Sequence, residues 1–223
     1  MNDEARIWQQ FSTSTISDAL DRLKIPGQCS GIRPLDSAFS IAGRAFTVRM
    51  APAGGANGTV GDYIDDVPRG YAVVIDNGGR LDATMWGDML TAFAHRKGIA
   101  GTAIDGVCRD TVKSLRFGYP IFSRGTYMRT GKGRVQAEQF RGPVSLGGVR
   151  VEPEDWIVGD ADGIVVVPHA RAAEVLQEAP RIEEAEDCIR RGIEEGVRLD
   201  ELRKKFGYFS LQSPPAQPDS NET

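Results

Sequence analysis

The chain has 223 residues, 40% hydrophobic and 26% charged, the balance of a soluble globular protein with room for one sizeable core. With 27 basic and 31 acidic residues its net charge is −4 and its pI near 5.3, which leaves no basic footprint for nucleic acid. Three cysteines without a Cys-x-x-Cys pair and only two histidines exclude a disulfide framework, a zinc ribbon and a multi-histidine metal centre, so any metal is a hard cation held by oxygen.

The start, Met1-Asn2-Asp3-Glu4, is acidic and is no signal peptide, and no run approaches the roughly 18 apolar residues of a membrane span. A cytoplasmic protein without a membrane partner is expected. Residues 4–23 read as helix, with Ile16, Ala19, Leu20 and Leu23 on one stripe, interrupted at Ser12, Thr13 and Ser14 and stopped by Pro26 and Gly27. A strand over 41–50 places Phe46 and Val48 on one face, and the small residues of 51–61 form a loop. Residues 71–76 form a strand buried on both faces, bounded by Gly70 and by Asn77, Gly78 and Gly79. A helix over 85–96 and a strand over 99–104 complete a strand, helix, strand unit. Residues 111–117 and 120–123 repeat it at shorter length. Strands over 134–140, 144–151, 156–158 and 164–167 then follow without helices, and Asp162-Gly163 marks a hairpin turn. From 170 to 206 the chain is helical and charge-dense, divided by Pro180, Gly192 and Gly196. Val175, Leu176, Ile182, Ile189 and Ile193 form its packing stripe. The order implies a mixed α/β fold: one domain over 1–168, a C-terminal helical segment over 169–208 packed on the domain or on a neighbouring subunit, and a disordered tail over 209–223.

Chemistry concentrates between Gly87 and Asp110. A helix opening at Gly87 leaves up to four backbone N–H groups without intrahelical partners, a ready site for a carboxylate. The helix and the strand after it bring Arg109 and Asp110 back beside Asp88, so two carboxylates and a guanidinium share one mouth. Each residue also has a plainer use: Asp88 and Asp110 suit helix caps, and Arg109 an ordinary ion pair. His95, in the last turn of its helix, and Cys108 read as structural, and the paired glycines fit neither a P-loop nor a dinucleotide fingerprint.

Asp88, followed after twenty residues by Arg109-Asp110, resembles the pattern of the RraA-like family, which includes the class II 4-hydroxy-4-methyl-2-oxoglutarate (HMG) and 4-carboxy-4-hydroxy-2-oxoadipate (CHA) aldolases. The resemblance extends over residues 12–180 through Trp86-Gly87-Asp88, the run from Ile104 to Asp110, Phe117-Gly118-Tyr119-Pro120 and Gly159-Asp160-Ala161-Asp162-Gly163. It implies a swivelling β/β/α domain assembled as a homotrimer or homohexamer, with the site at a subunit boundary. It further implies that the backbone of Gly87, Asp88, Met89 and Leu90 holds the carboxylate of a pyruvate-like 2-oxo acid. Arg109 would contact the keto or enolate oxygen, Asp110 would coordinate Mg2+ or Mn2+, and Asp88 would act as general base directly or through a water. Cleavage of a 4-hydroxy-2-oxo acid leaves pyruvate enolate, whose oxygen needs a cation or fixed donor, and oxaloacetate decarboxylation passes through the same enolate. One position departs from the aldolase pattern: Lys113 stands where an acidic residue is usual, which weakens divalent-ion binding if it faces the site. A charge-reversed site keeps open a second reading, a non-catalytic regulator like the RraA members that inhibit an RNA-degrading endonuclease.

Overall fold

The computed structural model describes residues 3–54 and 59–213. Two helices open the chain, α1 (Asp3–Trp8) and α2 (Thr13–Arg22); the expected break falls earlier, over residues 9–12, and Thr13 and Ser14 are already helical. Ser12 is extended there, and its Oγ accepts from the Thr15 backbone N–H at 3.0 Å, capping α2. Pro26 and Gly27 do not end this helix. It stops at Arg22, and Lys24 in the left-handed conformation (φ 56°) has already turned the chain.

Next come β1 (Gln28–Cys29), β2 (Arg33–Pro34), β3 (Ile41–Pro52), a 3-10 turn (Asp62–Asp66), β4 (Ala72–Trp86), α3 (Asp88–Lys97), β5 (Gly101–Cys108), α4 (Thr111–Leu115) and β6 (Ile121–Thr126). The chain continues through β7 (Val135–Phe140), β8 (Val144–Leu146), β9 (Val149–Val151), β10 (Trp156–Asp160), β11 (Gly163–Val167), α5 (Ala172–Glu194) and α6 (Leu199–Lys205). Among the described residues one large sheet runs β1-β11-β10-β3-β4-β5-β6-β2, with β7 also on β3, and β8–β9 is a separate hairpin. Its centre, β3-β4-β5-β6, is parallel, and the flanking pairs are antiparallel.

The period-2 alternation of strand side chains divides the core. Val73 and Ile75 of β4 point to one face with Phe46, Val48, Ile104 and Trp86, while Ala72 and Val74 point to the other with Ala103, Phe122, Leu146 and Val151. A third cluster packs Trp8, Ile16 and Leu20 of the first helices and Val175 and Ile182 of α5 against Trp156, Val158, Val165 and Val167. The result is the expected mixed α/β fold with C-terminal helices. No helix among the described residues is long and apolar enough to cross a membrane.

Several expected boundaries move. The loop expected over 51–61 begins later, because Ala51 and Pro52 pair with β7; residues 55–58 lie outside the described residues. Asn77, Gly78 and Gly79 do not end β4: Gly78 and Gly79 take positive φ (62° and 69°), the ladder shifts register, and the strand resumes to Trp86. Met85 and Trp86 are therefore strand, and α3 starts at Asp88. Neither Pro180 nor Gly192 divides α5. An interior proline costs about 3 kcal/mol, whereas burial of Val175, Ile182 and Ile189 contributes about 1.5–3 kcal/mol each, so packing wins. Gly192 is where α6 approaches most closely: a Cβ there would lie 2.3 Å from Leu202 Cδ2. The division falls at Gly196 (φ 81°), and Ile193 of the expected stripe is 49% exposed. The start of the expected tail is ordered, Tyr208–Ser210 being a 3-10 turn, and the carbonyls of Ser210, Leu211 and Ser213 accept from Arg22; residues 214–223 lie outside the described residues.

Candidate active site

The carboxyl ends of adjacent parallel strands are where an α/β sheet offers a crevice to a ligand, and β4 and β5 end side by side here. Trp86 pairs with Cys108, and the Arg109 N–H donates to the Trp86 carbonyl at 2.9 Å. Trp86 is buried, stacked on Tyr119 with ring centroids 6.1 Å apart, so the end of β4 is held firmly. Its Nε1–H donates to Thr91 Oγ1 at 2.9 Å, and that hydroxyl donates to the Gly87 carbonyl at 2.9 Å and lies 3.2 Å from Ser114 Oγ. One buried threonine thus ties together the strand end, the first turn of α3 and α4.

Gly87 is the N-cap of α3, and its carbonyl takes the Thr91 N–H, leaving the N–H groups of Asp88, Met89 and Leu90 without partners inside the helix. The helix ends on Gly98 in the left-handed conformation, with His95, Arg96 and Lys97 in its last turn. Asp88 is therefore the first helical residue and not the cap. Asp110 does precede α4, but in the left-handed conformation (φ 56°) and without a side-chain capping bond; its carbonyl receives the Lys113 and Ser114 N–H groups. That uncommon backbone leaves its carboxylate directed at α3. A Cβ on Gly87 would lie only 2.8 Å from Asp110 Oδ2, so a larger residue there would have to displace that carboxylate.

All six sequence-predicted residues, Gly87, Asp88, Met89, Leu90, Arg109 and Asp110, line one cleft of about 380 Å³. Arg109 Nε stands 3.3 Å from Asp110 Oδ2, each side chain one-third exposed, so the plainer ion-pair reading is also realised. Lys113 faces the site: its Nζ lies 3.2 Å from Asp88 Oδ2. The hydrogen bond from Lys113 holds the Asp88 carboxyl below the ordinary aspartate range, against a smaller opposing effect of desolvation. Met89 is 74% exposed, so its part in the cleft is mainly its backbone.

The sequence pattern did not single out Thr130, Gly131 and Lys132, which close the cleft from the loop after β6, nor Asp62 and Asp65 of the 3-10 turn; Val60, Ile64 and Phe93 add apolar wall. Their only sequence signal was polarity in loops. Cys108 is fully buried, and burial pushes its thiol up, in keeping with a structural residue. His95 packs near Phe117 (centroids 5.9 Å), and His169 pairs with Arg44, both away from the cleft lining. Among the described residues no group of three His, Cys, Asp or Glu side chains is placed to hold a metal. Asp88 and Asp110 are the carboxylates beside Arg109 that would offer oxygen to a hard cation, a number that fits an ion held through one or two carboxylates, and each is paired with a side-chain cation, Lys113 and Arg109 respectively.

The parallel sheet thus gathers the first turn of a helix, a guanidinium and two carboxylates at its strand ends. The chain belongs to the RraA-like family (Aldolase/RraA), whose model matches residues 13–166. It is 38% identical over 200 residues to protein DlpA of Legionella pneumophila, covering 88% of this chain but spanning only about a third (32%) of DlpA. It is 36% identical over 194 residues to a Halalkalibacterium halodurans protein named provisionally as a 4-hydroxy-4-methyl-2-oxoglutarate aldolase, covering 85% of this chain and 88% of that one. Among solved structures, a Pseudomonas syringae protein superposes with a TM-score of 0.83 at 39% identity, covering 89% of this chain and 96% of that one. Streptomyces coelicolor RraAS2, described as an unusual member of the RNase ES inhibitor RraA protein family, superposes with a TM-score of 0.78 at 30% identity over 85% and 97% of the two chains.

Proposed function

We propose that this protein is a divalent-cation-dependent lyase that cleaves a 4-hydroxy-2-oxo acid such as HMG to pyruvate, with oxaloacetate decarboxylation as a side activity. The observation that carries the reading is the convergence of the α3 N-terminus, Arg109, Asp110 and Asp88 on one cleft. The N–H groups at the start of α3 that have no partner inside the helix receive the substrate's C1 carboxylate. The planar, permanently charged guanidinium of Arg109 donates to the C2 oxygen, which becomes an oxyanion as the C3–C4 bond breaks. The proton of the C4 hydroxyl leaves toward Asp88, C4 becomes a carbonyl, and the enolate is protonated at C3 to give pyruvate. Because Lys113 keeps the Asp88 pKa low, Asp88 is a weak direct base, and its better task is to hold the water that relays this proton. A divalent cation held by Asp110 supplies Lewis-acid stabilisation of the C2 oxygen when bound. Lys132, which also lines the cleft, is the cation we assign to a second carboxylate. Exposed Met89 and Phe93 on the cleft lining, with exposed Val112 and Leu115 on α4, support assembly with further copies as a trimer or hexamer, which light scattering after size exclusion tests. Purified protein with Mg2+ is expected to release pyruvate from HMG or oxaloacetate, and Arg109→Ala to abolish it; no turnover on a panel of such acids defeats the reading.

One observation favours a second reading. Lys113 already occupies Asp88, and a non-catalytic regulator of an RNA-degrading endonuclease needs no free carboxylate there. Capture of a ribonuclease by the purified protein, with no heat of Mn2+ binding, supports that reading over the first.

A further inference from the structure

The cleft carries its own counter-cations. Asp110 takes the Arg109 guanidinium at 3.3 Å, and Asp88 takes the Lys113 ammonium at 3.2 Å, so this quartet of charges sums to zero. Both pairings come from one short stretch of chain: left-handed Asp110 turns its carboxylate toward α3, and Lys113, whose N–H bonds the Asp110 carbonyl at 3.0 Å, follows on the first turn of α4. The two pairs are not equivalent. Arg109 directly follows the buried strand β5 and is one-third exposed, whereas Lys113 is 68% exposed on a flexible four-carbon stem and leaves its partner easily. A hard divalent cation draws its affinity from the number of anionic oxygens it meets, and with Lys113 in place Asp88 is already satisfied.

We propose that Lys113 is a displaceable counter-cation, so that a divalent ion enters this site by exchange with the ammonium on Asp88, and Lys113 sets the ion's affinity. The proposal rests on the lyase reading only in taking Asp110 as an oxygen donor, and it adds Asp88 as the second.

The test is calorimetric titration of the full-length protein with Mn2+, for wild type, Lys113→Ala, Lys113→Glu, Asp88→Asn and the double variant Asp88→Asn/Lys113→Ala. Lys113→Ala is expected to tighten Mn2+ binding on the order of tenfold and Lys113→Glu further, the scale of one removed competing charge near a protein surface. On the Asp88→Asn background, Lys113→Ala is expected to give no gain, because the ammonium has nothing left to guard. Equal affinities within twofold in wild type, Lys113→Ala and Lys113→Glu overturn the proposal, as does a gain that persists without Asp88 or an absence of Mn2+ binding in every variant. Pyruvate release is scored separately. Turnover with unchanged Mn2+ affinities rejects the exchange and keeps the lyase; the expected affinities without turnover do the reverse.

Discussion

Gly87→Ala separates the geometry of the site from the stability of the fold. The Gly87 backbone is extended (φ −149°, ψ −170°), which any residue adopts, so the substitution brings no backbone strain. The new Cβ lies 2.8 Å from Asp110 Oδ2 and 3.5 Å from Arg109 Cγ and Nε. To reach ordinary contact at 3.4 Å the carboxylate must retreat by about 0.6 Å. Asp110 cannot do so by a small backbone adjustment, because it is fixed in the left-handed conformation at φ 56°; its side chain must rotate, loosening its pairing with Arg109. A displacement approaching 1 Å at reacting groups costs roughly 100-fold in rate, so kcat/KM for pyruvate release is expected to fall by about 30- to 100-fold. Stability changes little, because Gly→Ala also removes unfolded-state freedom worth about 0.4–1 kcal/mol. A lactate dehydrogenase-coupled assay and a thermal melt on the same preparation measure both. Activity within threefold of wild type refutes the tight meeting of Gly87 and Asp110 as a condition of function.

Four further outcomes follow from particular contacts. Thr91→Ala leaves the buried Trp86 Nε1–H without its acceptor and is expected to cost about 1–3 kcal/mol in a urea titration; a loss under 0.5 kcal/mol contradicts the node assigned to Thr91. Arg124→Ala strips the ion-pair partner from Asp105, which is 4% exposed, and is expected to cost about 3 kcal/mol; Asp105→Asn on that background recovers part of it, and no recovery contradicts an unpaired charge as the cause. Asp88 has its pKa depressed by Lys113, so its carboxylate is charged throughout the neutral range, and the pairing is lost only as pH falls through that lowered value. Carboxyl NMR is expected to find the midpoint below the ordinary aspartate range in wild type and raised toward it in Lys113→Ala; identical midpoints contradict the pairing. Lys132→Ala is expected to raise KM for HMG about tenfold and leave a 4-hydroxy-2-oxo monocarboxylate unchanged, and equal effects on both remove Lys132 from substrate selection.

The central strand, helix, strand unit was legible because its signals are local: glycines at both ends of α3, an apolar run in β5 and the Arg109-Asp110 pair at its exit. The resemblance to a family supplied roles for those residues, and the structure brings them to one cleft. What was not legible depends on tertiary context. Gly78 and Gly79 read as a strand end because positive φ suits turns, yet β5 alongside carries the ladder past them. Pro180 read as a break because the cost of proline is local, whereas the burial that outweighs it is contributed by α2 and the sheet. Lys113 could be flagged by charge, but its reach to Asp88 follows from the left-handed turn at Asp110, which no local pattern announced. Lys132 enters the cleft from a loop distant in sequence, beside strands whose register alone places it there.

A cleft that stabilises a pyruvate enolate exchanges the methyl protons of pyruvate in D2O, a reaction that needs no distal half of any substrate. Followed by proton NMR with Mg2+ or Mn2+ present, wild-type protein is predicted to drive exchange well above the buffer rate, and Arg109→Ala and Asp110→Asn to return it to that rate. Exchange at the buffer rate in wild type, or undiminished exchange in Arg109→Ala, contradicts the claim.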